Sequence, residues 1–134
     1  MKMKIGVMSM RVYKKVRMLK DGNCYPLFID NKKQFLFGEW MRSEYHPTKG
    51  FASRSIIDAD GEQIGGWHSC PTPEASWIAD ELASGEKRVW MECEAENVQE
   101  YKRPQGIWYL SEWIKPLRLL TREDVSNILE EVYA

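Results

Sequence analysis

The chain has 134 residues, of which 43% are hydrophobic and 29% charged, so it can form one domain with its own core and lacks the composition of a disordered protein. No apolar run has the length of a membrane span, and no apolar segment of a signal peptide follows the basic N-terminus. The three cysteines are an odd number, which favours free thiols and a reducing compartment. We therefore expect a single cytoplasmic domain over residues 1–134, with no membrane partner.

Charge is divided unequally along the chain. Residues 1–54 hold 12 basic and 4 acidic side chains, a balance of +8, whereas residues 55–134 hold 7 and 16, a balance of −9. Such a split is typical of a protein with a basic face for nucleic acid or for an acidic partner. It also fits two halves whose charges pair within one fold. We favour this second interpretation because basic strands are common in proteins that bind no nucleic acid.

The first half is predicted to consist of extended segments joined by turns. Alternating apolar residues indicate a strand over Lys4–Arg11 that continues through Val12–Leu19. The pair Asp21-Gly22 predicts a hairpin turn, which would pair the end of that strand with Tyr25–Ile29. Three further extended segments are expected, over Gln34–Phe37, Ser53–Asp58 and Gln63–Ser69, and the last two are expected to pair as a hairpin around residues 59–62.

The second half introduces helical periodicity. Thr72 and Pro73 are suited to begin a helix, and Ala75, Ile78, Ala79 and Leu82 form one apolar stripe, so a helix is predicted over about residues 72–83. A second helix is predicted over residues 122–133, with Thr121 and Asp124 as a capping pair and an apolar stripe of Val125, Ile128, Leu129 and Val132.

Strands lie between and beside these helices. Alternation predicts strands over Arg88–Glu94 and Ile107–Ile114, and Pro116 is expected to end the second of them before a short strand over Leu117–Leu120. The predicted fold class is therefore α+β, a mostly antiparallel twisted sheet with two helices packed on it.

The run Gly65-Gly66-Trp67-His68-Ser69-Cys70-Pro71 is the densest group of chemically useful residues. A histidine beside a cysteine can lower the pKa of the thiol and activate it as a nucleophile, so His68 and Cys70 are candidate catalytic residues. Residues two apart in a strand are about 7 Å apart, however, so a direct hydrogen bond would need a bend. We favour a structural role for both residues.

Other chemistry has weaker support in the sequence. His46, His68 and the three cysteines lack the spacing of known metal sites, and no phosphate-binding glycine motif occurs, so we predict neither a metal nor a cofactor. Glu92 and Glu94 alternate with apolar residues of their strand and are expected to face solvent, and Glu112 is expected on a solvated strand face. Six residues are candidate contacts for a partner protein or nucleic acid: Lys14, Lys15, Arg17, Arg54, Trp67 and His68.

Four fragments, taken in order, resemble a domain of unknown function found in large polyvalent proteins of phages and conjugative elements. They are Tyr25-Pro26-Leu27-Phe28-Ile29, Phe37-Gly38-Glu39-Trp40, Gly66-Trp67-His68 with Pro73 and Ala75 downstream, and Val89-Trp90-Met91-Glu92-Cys93-Glu94. The family pattern has Arg-Pro where this chain has Gly65-Gly66. The resemblance carries over no catalytic residue, but it implies a protein that helps a mobile element against host defences.

A second likeness points to an enzyme. Gly66-Trp67-His68, Ala75–Ala79 and Val89–Glu94 follow the order of the ADP-ribosyltransferase layout, although no complete catalytic triad can be placed. The first hypothesis is therefore a small binding protein, of phage or mobile-element origin, that occupies the surface of a host protein or nucleoprotein. The alternative is a small transferase with its site near Trp67, His68 and Cys70.

Overall fold

The computed structural model describes residues 9–27, 32–44, 56–58, 60–74, 85–104 and 106–133. These residues form a mostly antiparallel sheet and one helix. The elements in chain order are β1 (Met10–Met18), β2 (Cys24–Tyr25), β3 (Met41–Arg42), β4 (Ile56–Ile57), β5 (Gln63–Ile64), β6 (Trp67–Ser69), β7 (Lys87–Arg103), β8 (Gly106–Leu119) and α1 (Arg122–Tyr133). No helix in the described ranges is long and apolar enough to cross a membrane.

The long hairpin β7–β8 is the centre of the sheet. Its strands pair from Met91 opposite Leu119 to Arg103 opposite Gly106. The prediction that Pro116 ends the second strand is wrong, because β8 continues through it to Leu119. The pairing register shifts by one residue between Glu92 and Cys93, directly opposite Pro116. Such a bulge lets a proline stay within a strand although it has no N–H for the ladder.

The sheet curls until its outer strands meet. Its order is β2-β1-β7-β8-β3, and β6 pairs with β8 beside β3. Cys70, which directly follows β6, then forms an isolated bridge with Tyr13 of β1 through two backbone hydrogen bonds of 2.9 and 2.7 Å. Strands β1, β7, β8 and β6 thus form a closed ring. The junction of β6 with β1 consists of this bridge, whereas the other neighbouring strands of the ring pair over three or more residues.

The two sides of the ring bury different residues. The main core lies inside and is built from β1, β7 and β8 together with Phe35, Met41 and Trp67. Outside the ring, Tyr13, Trp90 and Leu120 pack against Val125 of α1, with Ile128 and Leu129 at the edge. The small hairpin β4–β5 adds Ile56 and Ile64 against Leu110.

The predicted capping pair of the C-terminal helix, Thr121 and Asp124, is confirmed. The Asp124 amide donates to the Thr121 hydroxyl at 3.1 Å, and the Thr121 amide donates to the Asp124 carboxylate at 2.8 Å. This reciprocal pair satisfies amides that the first turn of a helix would leave without partners. The predicted apolar stripe is shorter than expected, since Val132 is 53% exposed.

Side-chain alternation breaks once along β7. Ala95 and Val98 contact the same core although residues three apart in a regular strand face opposite sides. Between them, Asn97 has a φ of +51°, a left-handed conformation that asparagine tolerates better than most residues. This break turns the Asn97 side chain toward a cluster of buried charges described below.

Other sequence predictions have mixed outcomes. The turn at Asp21-Gly22 is confirmed, since Arg17 pairs with Tyr25 and Met18 with Cys24. Residues 34–37 are not in a strand. The predicted helix over residues 72–83 falls mostly outside the described residues, and Thr72–Glu74 are not helical. Most of the strand predicted over Lys4–Arg11 also lies outside them.

Candidate functional site

Lys14 lies at the junction of β1 and β6, which we call the β1–β6 seam (Tyr13, Lys14, His68 and Cys70). Its neighbours on the same side of β1, Val12 and Val16, are fully buried in the main core. The Lys14 residue is half-buried, and its ammonium donates a hydrogen bond to the backbone carbonyl of His68 at 2.7 Å. This bond and the Tyr13–Cys70 bridge together fasten β6 to β1.

The electrostatic setting of Lys14 is unusual for a lysine. No carboxylate of the described residues forms an ion pair with it. Burial lowers the pKa of the Lys14 ammonium to about 8, an effect that the nearby thiols of Cys93 and Cys70 partly oppose. A lysine whose charge is poorly solvated can act as a base or a nucleophile near neutral pH.

Two buried hydroxyls lie inside the same ring. Ser69 is 2% exposed and Ser111 is fully buried, and neither hydroxyl has a hydrogen-bond partner among the described residues. Trp67 pairs with Ser111 across β6 and β8, and Ser69 follows Trp67 by two residues. Because Trp67 belongs to the main core, alternation directs both serines to the interior as well.

His68 and Cys70 do not form an activated pair in this arrangement. Burial raises the pKa of the Cys70 thiol, while Lys14 opposes the shift. The His68 ring contacts Trp108 in an edge-to-face geometry with centroids 6.2 Å apart. The other thiols are still less reactive, since burial raises the pKa of Cys24 to about 11 and of Cys93 to about 12.

The predicted partner contacts on the first half of the chain are largely engaged within the fold. Lys15 pairs with Glu74 at 3.7 Å and Arg17 with Glu86 at 3.0 Å. These pairs join a base of the first half to an acid of the second half. Arg54 lies outside the described residues.

Trp67 is also unsuited to a surface contact. Its ring is 6% exposed and packs against Phe35 with centroids 5.6 Å apart. Its indole N–H donates to the Met41 carbonyl at 3.0 Å. Both the apolar surface and the polar atom of this side chain are therefore used in the core.

Glu92 is buried, contrary to the prediction that it faces solvent. Its carboxylate accepts from Arg11 at 3.0 Å and from Arg118 at 3.1 Å, and Arg118 also binds Asp124 at the start of α1. The prediction is wrong because α1 covers part of the outer side of the sheet, where these charges pair.

Glu112 is another buried carboxylate and belongs to a group that we call the Glu112 cluster (Arg42, Asp58, Asn97 and Glu112). One Glu112 oxygen accepts from Arg42 Nε at 3.0 Å and the other from Asn97 Nδ2 at 3.0 Å. Arg42 also donates to Asp58, and Asn97 also donates to the Ile57 carbonyl at 2.9 Å. The cluster ties hairpin β4–β5 to the long hairpin.

Asp58 is held as an anion within this cluster. The amides of Glu62 and Asp60 each donate to it at 2.9 Å. These bonds, that of Glu62 first, and the charge of Arg42 keep the pKa of Asp58 below its ordinary value. The cluster is thus a structural ion-pair network in which the carboxylates are fully bonded.

A tight turn at Leu36–Glu39 presents two apolar side chains to solvent. The Glu39 amide donates to the Leu36 carbonyl at 3.2 Å, and Gly38 has a φ of +84°, as the third position of a type II turn requires. Leu36 is 46% exposed and Phe37 44%. Sequence reasoning assigned this stretch to an extended segment, although Gly38 after two apolar residues was a signal for the turn.

Two backbone hydrogen bonds fix the turn to the sheet. The Gly38 amide donates to the Pro116 carbonyl at 2.8 Å, and the Phe35 amide donates to the Cys24 carbonyl at 2.8 Å. Phe35 is 2% exposed, and Met41 on the other side of the turn is buried. The exposed side chains are therefore carried by a backbone that is bonded on both sides.

The described residues hold no group of three or more histidine, cysteine or acidic side chains arranged to bind a metal ion. All three cysteines are free thiols. Comparison of the chain with protein-family models, with curated proteins and with solved structures found no match.

Proposed function

We propose that this chain is a small cytoplasmic binding protein, encoded by a phage or another mobile element, that acts on a host defence protein by occupying its surface. The observation that carries the proposal is the turn Leu36–Glu39, whose exposed Leu36 and Phe37 stand on a fixed backbone. The order of the four family-like fragments supports the mobile-element origin, and one of these fragments, Phe37–Trp40, begins within the turn.

A rigid apolar turn is suited to a protein partner. Burying a phenylalanine or leucine side chain stabilises a complex by about 1.5–3 kcal/mol each. Little of that energy is lost to ordering the backbone, because the turn is already held by hydrogen bonds. Aromatic side chains seated in a partner's pocket are frequent energetic centres of protein interfaces.

Electrostatic contact through the first half has less support. Lys15 and Arg17 are paired with Glu74 and Glu86, and Arg11 with Glu92. A nucleic acid would have to compete with these acids for each base. We therefore give the apolar turn, rather than a basic face, the main role in binding.

The test is capture of a partner from bacterial host lysate by the tagged protein, followed by mass spectrometry. The double variant Leu36→Ser, Phe37→Ser should lose the captured protein while its melting temperature stays close to that of wild type, because both side chains are exposed. Ile57→Ser is the matched control, since Ile57 is 56% exposed on β4. Equal capture by all three proteins would contradict the proposal.

The alternative, a small ADP-ribosyltransferase-like enzyme with its site near Trp67, His68 and Cys70, has less support from the geometry. Trp67 is buried in the core, and burial raises the pKa of the Cys70 thiol. A thiol with a raised pKa is a poor nucleophile at neutral pH. The host-directed binding protein remains the better hypothesis.

A further inference from the structure

Lys14 differs in its bonding from three arginines of the same sheet. Arg17, Arg42 and Arg118 each contact a carboxylate. The Lys14 ammonium has one hydrogen bond, to the His68 carbonyl, and among the described residues no acid balances its charge. Placing a cation on the core side of a strand without a counter-ion lowers the stability of the fold, so we expect Lys14 to have a role beyond packing.

The serines supply a second and independent observation. The hydroxyls of Ser69 and Ser111 are at least 98% buried and unbonded within the described part of the chain. Register and alternation place both hydroxyls on the core side of β6 and β8, and Lys14 lies on the core side of β1, which meets β6 at the seam. Buried polar side chains without partners are rare in proteins, and a bound ligand is one way to satisfy them.

We propose that Lys14 is a nucleophilic amine that binds a small aldehyde or ketone as an imine inside the ring. Ser69 and Ser111 donate hydrogen bonds to a second polar group of that compound, such as a carboxylate. This site is separate from the turn at Leu36–Glu39 and does not depend on the binding function proposed above.

The chemistry needs no metal and no redox partner. Lys14 first loses its proton to solvent, and its nitrogen lone pair attacks the carbonyl carbon of the ligand. A C–N bond forms while the carbonyl oxygen takes up a proton, which gives a carbinolamine. Loss of one water molecule, with the hydroxyl as leaving group, then gives the imine.

The protonation state of Lys14 suits this step. The pKa of the amine is lowered to about 8 by burial, and the ionisable groups that face it are the thiols of Cys93 on β7 and Cys70 after β6. The free amine is therefore far more abundant on Lys14 at neutral pH than on an exposed lysine. The Lys14 residue is half-buried rather than fully enclosed, as access for a small molecule requires.

The experiment treats the native protein with glyoxylate and cyanoborohydride at pH 7.5, which reduces any imine to a stable secondary amine, and locates the label by peptide mass spectrometry. We expect Lys14 to be labelled about tenfold faster than the exposed Lys20, Lys32 and Lys102. The preference should vanish in urea. The labelling rate of Lys14 should rise with pH up to about pH 8 and then become constant, whereas the labelling rates of the exposed lysines should continue to rise.

Three variants separate the site from general lysine reactivity. Lys14→Arg keeps the positive charge and should remove the selective label, and Lys15→Arg, with its side chain on the other side of β1, should keep it. Ser111→Ala should slow labelling of Lys14 but not of Lys32. Equal labelling of Lys14 and the exposed lysines in the native wild-type protein would overturn the proposal, whether or not the variants fold.

Discussion

The Glu112 cluster and the β1–β6 seam both place charged side chains within the fold, but they differ in how completely their polar atoms are bonded. In the cluster, both Glu112 oxygens accept hydrogen bonds and both Asp58 oxygens do so too. At the seam, the Lys14 ammonium has a single carbonyl partner, and on the core side of β6 and β8 the hydroxyls of Ser69 and Ser111 have none that the structure describes.

This difference separates a structural site from a candidate chemical one. A buried network whose members are all satisfied rigidifies the fold and leaves nothing for a ligand to bind. A buried charge with few partners lowers stability, so it is the better place to look for chemistry. We therefore infer that the Glu112 cluster attaches hairpin β4–β5 to the long hairpin, and that the seam is the candidate reactive site.

The largest expected effect comes from breaking the satisfied site. Glu112→Ala removes the acceptor of Arg42 and Asn97 and should lower the free energy of unfolding by about 3 kcal/mol, because two hydrogen bonds to a buried, charged carboxylate are lost. Urea denaturation measures the effect. Glu100→Ala is the control, since Glu100 is an exposed acid on β7, and a loss as small as in this control would show that the cluster does not hold the hairpin.

Several local elements of the fold were readable from the sequence. The Asp21-Gly22 turn, the hairpin around residues 59–62 and the Thr121–Asp124 cap each follow from local chemistry, and the structure bears them out. Local rules failed where a distant element decides the outcome. Pro116 stays within β8 because β7 shifts register opposite it, which no pattern around the proline reveals.

The candidate site was harder to predict for the same reason. His68 and Cys70 stood out by their residue types, whereas the distinctive residue of the seam is Lys14, fifty-four positions away from its His68 partner. Lys14 was predicted to contact a partner, although its alternation with Val12 and Val16 was a signal that it faces inward, and closure of the ring by the Tyr13–Cys70 bridge is a long-range event. Burial of Glu92 and Glu112 likewise depends on elements packed over them.

The seam can be tested through pH. The pKa of Lys14 is lowered from its ordinary 10.5 to about 8 in the folded protein, so between these values the unfolded chain holds a proton that the folded one has released. The free energy of unfolding of wild type should therefore rise with pH across this window. A shift of this size is worth about 3.4 kcal/mol for a fully buried group, and because Lys14 is only half-buried we expect about 2 kcal/mol relative to Lys14→Met. Below pH 8 the difference should be constant. Parallel curves for both proteins would show that Lys14 keeps its ordinary pKa.

The helix cap provides a reference for a satisfied polar pair at the surface. Thr121→Ala removes the acceptor of the Asp124 amide and should cost about 1 kcal/mol. Ser126→Ala is the matched change, because Ser126 is exposed within the same helix. In thermal unfolding, Thr121→Ala should lose less stability than Glu112→Ala and more than Ser126→Ala. If Thr121→Ala and Ser126→Ala lose the same stability, the exposed Thr121–Asp124 pair contributes nothing to it.

The smallest expected effect has the opposite sign. Ser111→Ala removes a fully buried hydroxyl that has no hydrogen-bond partner in the described residues, so it relieves a desolvation cost and loses no bond. The free energy of unfolding should rise by about 0.5 kcal/mol in the absence of any ligand. If an aldehyde occupies the ring, the order should invert, because wild type alone can donate the hydroxyl to it. Urea unfolding with and without reductive trapping by glyoxylate measures both states. If Ser111→Ala is less stable than wild type in the absence of ligand, the Ser111 hydroxyl already has a hydrogen-bond partner. It would then not be available to a ligand, and this site would resemble the Glu112 cluster.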